Sequence, residues 1–175
     1  MPPLTSPLAA FVRDVPDFPK AGILFKDITP LLADAEAFGE AVAAMAQPAL
    51  TLQPTHVLGL ESRGFIFGSA LAQKLGVGFV PARKPGKLPR PTHHEAYGLE
   101  YGSDALEIHT DAFGPGDRVL IVDDVMATGG TAAAAGRLVK LTGAQAVGLT
   151  VFIELASLPG REQVEGLPVF SVLRY

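Results

Sequence analysis

The sequence predicts an open α/β fold, a mostly parallel sheet flanked by helices. Strand-like and helix-like segments alternate through most of the chain. The strand-like segments are continuous apolar runs such as Val119-Leu120-Ile121-Val122, the pattern of strands buried on both faces. A third observation places the chemistry. The unusual polar residues come just after Leu60, Ala82, Val122 and Leu155, and open parallel sheets bind ligands beyond the carboxyl ends of their strands.

Each element has a local cause. Leu4 to Val12 suits a short helix, which Pro16-Asp17-Phe18-Pro19 breaks, because proline fixes φ and lacks a donor. Asp34 to Gln47 is a second helix, with Asp34 as N-cap and alanines in its interior. Thr55 to Leu60 is a buried strand, and Gly64 to Leu75 a helix stopped by Gly76. Val77 to Ala82 is the next strand. Arg83 to Gly102 carries Arg83, Lys84, Lys87 and Arg90 among prolines and glycines. It predicts a long mobile loop, flexible over about 84–102, leading into a short hairpin around Tyr97 to Tyr101; long loops of this kind are commonly functional. Arg118 to Val122 is the clearest strand. Gly129 to Leu141 is a helix closed by Gly143, and its alanine run Ala132 to Ala135 suits close packing on a sheet. Ala146 to Leu155 and Val169 to Leu173 complete the strands.

Composition bounds the function. With 175 residues, the chain suits a single domain over 1–175. Apolar residues make up 48% and charged residues 18%, which excludes disorder. A net charge of -4 argues against a broad nucleic-acid surface. The absence of cysteine excludes a disulfide scaffold, a thiol nucleophile and thiolate metal sites, and fits a cytoplasmic protein. Met1 to Asp14 lacks a basic segment ahead of an apolar run, so no signal peptide is expected, and no stretch suits a membrane span. The four histidines show no zinc-site spacing, and Ser62 has no paired histidine and aspartate for a hydrolase triad.

The strongest motif runs from Val119 to Thr131. An apolar strand delivers Asp123 and Asp124, and a loop of small residues, Ala127-Thr128-Gly129-Gly130-Thr131, opens a helix. Orphan amides and the helix dipole make such a loop a phosphate cradle. Carboxylates accept hydrogen bonds only, so Asp123 and Asp124 suit sugar hydroxyls or a metal ion beside that phosphate. The Gly-Lys-Ser/Thr of a Walker A loop is missing.

This segment resembles the phosphoribosyl-pyrophosphate (PRPP) motif of type I phosphoribosyltransferases. Three further segments resemble the adenine-specific branch of that family: Phe18 to Leu32, Gly59 to Gly68, and Tyr97-Gly98-Leu99-Glu100-Tyr101-Gly102. Glu154-Leu155, Ser157-Leu158 and Gly160-Arg161 match its C-terminal segment. The resemblance implies that residues 1–33 form a base-binding hood on a core of 34–175. It implies transfer of a phosphoribosyl group from PRPP to adenine, giving AMP and pyrophosphate, in purine salvage.

The resemblance also implies residue roles. Asp123 and Asp124 would meet the ribose hydroxyls, and Ala127, Thr128, Gly129, Gly130 and Thr131 the 5-phosphate. Arg63, Arg83, Lys84 and Lys87 would surround the pyrophosphate, together with Mg²⁺. No dedicated protein metal site is expected; PRPP would hold the ion, with help from Asp123 or Asp124. The turn at Glu61-Ser62 would carry a non-proline cis peptide. Glu100 would manage the purine proton, and Tyr101 would cover the ribose or pyrophosphate. Leu24, Phe25 and Leu155 would contact adenine, with backbone groups of Leu24 and Lys26 reading its edge. Lys26 stands where many members carry Arg; a backbone contact would tolerate this, a guanidinium contact would not. A homodimer is expected, in which a basic loop residue reaches the neighbouring site. The rivals are a transferase for another purine such as xanthine, a non-catalytic PRPP-binding regulator, and a bare nucleotide-binding module.

Overall fold

The computed structural model describes residues 6–99, 102–164 and 166–175. Its centre is a five-stranded parallel sheet of β3 (His56–Leu60), β4 (Gly78–Ala82), β7 (Arg118–Met126), β8 (Gln145–Glu154) and β9 (Val169–Arg174), in the order β4-β3-β7-β8-β9. Helices α4 (Gly64–Leu75) and α5 (Gly130–Leu141) cover it, joined by α2 (Ala35–Ala46) and the short α1 (Thr29–Ala33), α3 (Ala49–Leu52) and α6 (Gly160–Gln163). Successive residues of a strand point to opposite faces, and the core divides accordingly. Val57, Leu120, Val122 and Phe152 pack with Phe67 and Leu71 of α4 and Ala41 of α2. Leu58, Ile121, Leu149 and Val151 pack with Ala134, Ala135 and Leu138 of α5.

The order of strands decides where the site lies. From β3 the chain moves outward to β4, whereas from β7 it moves the other way to β8 and β9. The point of reversal lies between β3 and β7, and a crevice opens there at the carboxyl edge. The turn after β3 carries Glu61 to Arg63, and β7 leads through Ala127 to Gly129 into the first residues of α5, Gly130 and Thr131.

Several elements match the sequence reading closely. Asp34 caps α2 by accepting from the Ala37 amide at 2.9 Å, and Gly76 ends α4 with φ +69°. Others differ. The N-terminal segment is a 3-10 helix over Pro7–Phe11. It is followed by a two-stranded antiparallel ribbon, β1 (Arg13–Pro16) with β2 (Leu24–Asp27), and the expected break at Pro16 to Pro19 falls in the connection between the two strands. Its residues are mostly exposed or half-buried, so no apolar alternation announces it.

The segment expected as a loop with a short hairpin is a long one, β5 (Thr92–Leu99) paired with β6 (Gly102–His109) from Thr92↔His109 to Leu99↔Gly102. The described part of β5 buries only Tyr97, while Leu106 and Ile108 of β6 supply the apolar face. The strand is made by its partner and by docking on α5, where Arg137 donates to Glu95 at 2.8 Å and to the Ala96 carbonyl at 3.3 Å. β7 also runs further than expected, so Asp123 and Asp124 lie in the strand itself.

Candidate active site

The loop expected to hold a phosphate stands at the N-terminus of α5. Gly129 is its N-cap with φ +83°, a left-handed conformation that favours glycine, and no side chain caps the helix. The first amides of the helix therefore keep their hydrogen-bonding capacity for a ligand. A cleft of about 100 Å³ is lined by Asp123, Ala127, Thr128, Gly129 and Thr131.

Asp124 is buried and Asp123 half-buried. Burial, and then the charge of Asp124, push the Asp123 carboxyl well above the ordinary carboxylate range; the more distant Arg63 offsets this only in part. Arg63 comes from the β3 side of the crevice and lies 2.6 Å from Asp124 Oδ2 as an ion pair, off the line of a hydrogen bond. Two adjacent carboxylates at low exposure thus share one guanidinium. Asp123 Oδ1 accepts from the Asp124 amide at 2.9 Å, while Asp124 Oδ2 has no aligned donor, which suits a ribose hydroxyl.

Arg63 also reaches the base side. Its guanidinium lies over the Phe25 ring, 4.7 Å from the centroid, and donates to the Lys26 carbonyl at 3.4 Å. Phe25 meets Phe18 edge to face at 5.1 Å. Leu24, Phe18 and Ile23 are exposed, and Leu155 is half-buried at the end of β8. Among these apolar groups, Phe18 and Phe25 are in contact, beside the Arg63 guanidinium. The Lys26 ammonium points elsewhere, to Asp14 at 2.6 Å and over the Tyr175 ring at 3.8 Å. Only its backbone faces Arg63.

The basic segment is organised by Glu61. Its carboxylate accepts from Lys87 Nζ, from the Lys84 amide at 2.8 Å and from Arg83 Nε at 3.3 Å. Burial alone would raise the Glu61 carboxyl; these donors outweigh it and hold the group below its ordinary value. The Glu61–Ser62 peptide is cis. Lys84 turns its ammonium away from this cluster, to Asp104 of β6 and, at 2.9 Å, to the Tyr97 hydroxyl.

The phosphoribosyl transferase domain family matches residues 31–170. The adenine phosphoribosyltransferase of Desulfitobacterium hafniense is 53% identical over 165 residues, covering 94% of this chain and 95% of its own length. The chain belongs to the adenine phosphoribosyltransferase family. Solved structures agree. The adenine phosphoribosyltransferase of Thermoanaerobacter pseudethanolicus superposes with a TM-score of 0.94 at 46% identity, over 96% of this chain and 98% of that one. The Saccharomyces cerevisiae enzyme, solved with adenine and an imino-altritol bisphosphate, gives 0.89 at 42% identity, over 94% and 96%.

Within the family frame, the crevice brings together Arg63, Asp123, Asp124 and the loop Ala127 to Thr131, and sets Phe25 and Lys26 at its edge through Arg63. Arg83 and Lys87 gather on Glu61, whereas the Lys84 side chain is held by the hairpin. Glu100 and Tyr101 lie outside the described residues. Sequence reasoning quoted Glu61 and Glu154 within motifs but gave them no role, and it passed over Asp104. The cations on Glu61 and Asp104 lie twenty or more residues away, so spacing carried no sign of them. Arg161, seven residues after Glu154, belongs to another element, so no helix or strand period links the two.

Proposed function

We propose that this crevice transfers the phosphoribosyl group of PRPP to adenine, giving AMP and pyrophosphate. One observation carries the reading. At the switch point of a parallel sheet, β7 delivers Asp123 and Asp124 beside a Gly129-capped helix N-terminus, opposite Arg63. A sugar phosphate fits that arrangement, and the family supplies the base.

The roles follow from the chemistry of each group. The amides of Ala127 to Thr131 receive the 5-phosphate. Asp123 and Asp124 accept from the ribose hydroxyls. Arg63, Arg83 and Lys87 face the pyrophosphate, on which negative charge grows as the C1′–O bond breaks. Adenine N9 forms the new bond to C1′, and Glu100 accepts the purine proton released at N7. Leu24, Phe25 and Leu155 hold the ring, and the backbone of Leu24 and Lys26 reads its edge. Tyr101, beside Glu100 in sequence, covers the reacting sugar.

Mg²⁺ fits the same corner. The acid pair has one guanidinium for counter-charge, and Asp124 Oδ2 accepts no aligned hydrogen bond. Among the described residues no three His, Asp or Glu side chains converge as a metal cage, so PRPP itself would hold the ion, with Asp123 or Asp124 facing it. When bound, Mg²⁺ would draw charge from the leaving group. We further infer a cytoplasmic homodimer. Light scattering at the mass of one chain would remove that part.

The test is direct. Protein, Mg²⁺ and PRPP are mixed with adenine, hypoxanthine, guanine or xanthine, and nucleotides are separated by chromatography. AMP alone is expected. A different nucleotide would overturn the reading of the base pocket. No product with PRPP still bound would favour a regulator. Glu100→Ala should lower kcat by about 10²-fold or more; turnover within a few-fold of the parent would remove Glu100 from proton transfer.

A further inference from the structure

We propose that Glu154 is a positioning residue for the 5-phosphate loop, acting through Arg161. The inference rests on the reading that Ala127 to Thr131 hold the phosphate.

Glu154 ends β8 with its side chain only 3% exposed. Arg161 clamps it with two parallel hydrogen bonds, Nε to Oε1 and Nη2 to Oε2, both at 2.7 Å. From β9, Ser171 Oγ donates to Oε2 at 2.6 Å and Arg174 Nη2 to Oε1 at 3.3 Å. These donors hold the carboxyl down at about 2, so it is fully ionised at neutral pH. A carboxylate this buried and this well matched anchors whatever its partners belong to.

Arg161 belongs to α6, and α6 backs the phosphate loop. A Cβ built on Gly129 would lie 2.3 Å from the Gly160 carbonyl oxygen, and one built on Gly160 would lie 2.5 Å from the Ala127 carbonyl oxygen. The two backbones are in direct contact, with no side chain between them. The position of Gly160 therefore sets how far the loop can recede. Arg161, one residue along, ties that position to the end of β8, and through Nη1 to the Val169 carbonyl at 3.0 Å. The path from Glu154 to the phosphate amides is a charge pair followed by a backbone contact. Ser171 and Arg174 bind the same carboxylate from β9 rather than from α6, so they separate positioning from plain stability.

The ligands for the test are AMP, which carries the 5-phosphate, and pyrophosphate, which does not. Dissociation constants are measured by calorimetry for the parent, Arg161→Ala, Arg161→Lys, Glu154→Gln and Ser171→Ala, with melting temperatures and steady-state kinetics alongside. Arg161→Ala and Glu154→Gln should weaken AMP and raise KM for PRPP by about tenfold, with kcat changed by less than about twofold and pyrophosphate unaffected. Arg161→Lys should recover little, because a point charge cannot replace the fork. Ser171→Ala should lower the melting temperature and leave AMP binding unchanged. Arg161 is 46% exposed, so its variants keep the test open if Glu154→Gln does not fold. AMP affinity within about twofold of the parent in the Arg161 variants, or equal weakening of AMP and pyrophosphate, overturns the positioning role. A parent that binds AMP no tighter than adenosine overturns instead the phosphate reading on which the proposal stands.

Discussion

The crevice has two halves that we propose bind anions, and they are built from different materials. The phosphate loop after β7 uses backbone. Its donors are amides at the start of α5, fixed by the φ of Gly129 and by contact with Gly160. The basic segment after β4 uses side chains, and those side chains already have partners. Lys87 and Arg83 lie on Glu61, and Lys84 lies on Asp104. A backbone site presents its donors ready-made, whereas a side-chain site depends on the internal carboxylates that gather its cations. The first half should therefore fail sharply when its geometry is disturbed, and the second should lose function in smaller steps.

The largest effect should come from Gly129→Ala. The new methyl meets the Gly160 carbonyl at 2.3 Å, in a conformation alanine adopts poorly, so the loop must move. A shift of roughly 1 Å at a phosphate site costs about 10²-fold in kcat/KM. Kinetics within about fivefold of the parent would show that the loop is not set by backbone contact.

Glu61→Gln should have a smaller effect, because amide oxygen still accepts from the Lys84 backbone but no longer draws the two cations together. KM for PRPP should rise about tenfold, worth ~1.4 kcal/mol. Higher KM with an unchanged salt dependence would indicate lost packing rather than lost charge. The same residue gives a pH signature. Its folded carboxyl lies below the unfolded value of 4.5, so its stabilisation is fully present above about pH 4.5 and is lost as the pH falls through the folded value. Parent and variant should therefore converge in stability on acidification. A gap that stays constant with pH would mean that the cations do not hold Glu61 ionised.

The same contrast explains what was legible in the sequence. Asp123, Asp124 and the Thr-Gly-Gly-Thr loop could be read because strand, turn and helix start follow one another, and local order fixes them. The central sheet was readable for the same reason, through runs such as Val119 to Val122. The roles of Glu61, Asp104 and Glu154 were not, because each depends on a partner that only the folded chain brings near. The hairpin was expected, but the length of β5 was not, because its apolar face belongs to β6 and α5. The direction of the Lys84 side chain could not be read from a cluster of like charges, since charge alone does not say which cation faces the ligand and which one pins a hairpin.

Lys87 and Arg90 provide the finest test within that cluster. They are three residues apart, carry the same charge and each pair with one carboxylate. The partners differ. Glu61 is 10% exposed, whereas Asp111 is 63% exposed and is returned to water when its cation leaves. Removing Lys87 takes a donor from a sheltered carboxylate and a cation from the proposed pyrophosphate site. Removing Arg90 breaks an exposed pair of the kind that is worth little. Lys87→Ala should raise KM for PRPP severalfold, while Arg90→Ala should leave KM, kcat and melting temperature unchanged within error. Equal losses in the two variants would mean that the segment acts through its summed charge, and the distinction between its individual cations would fall.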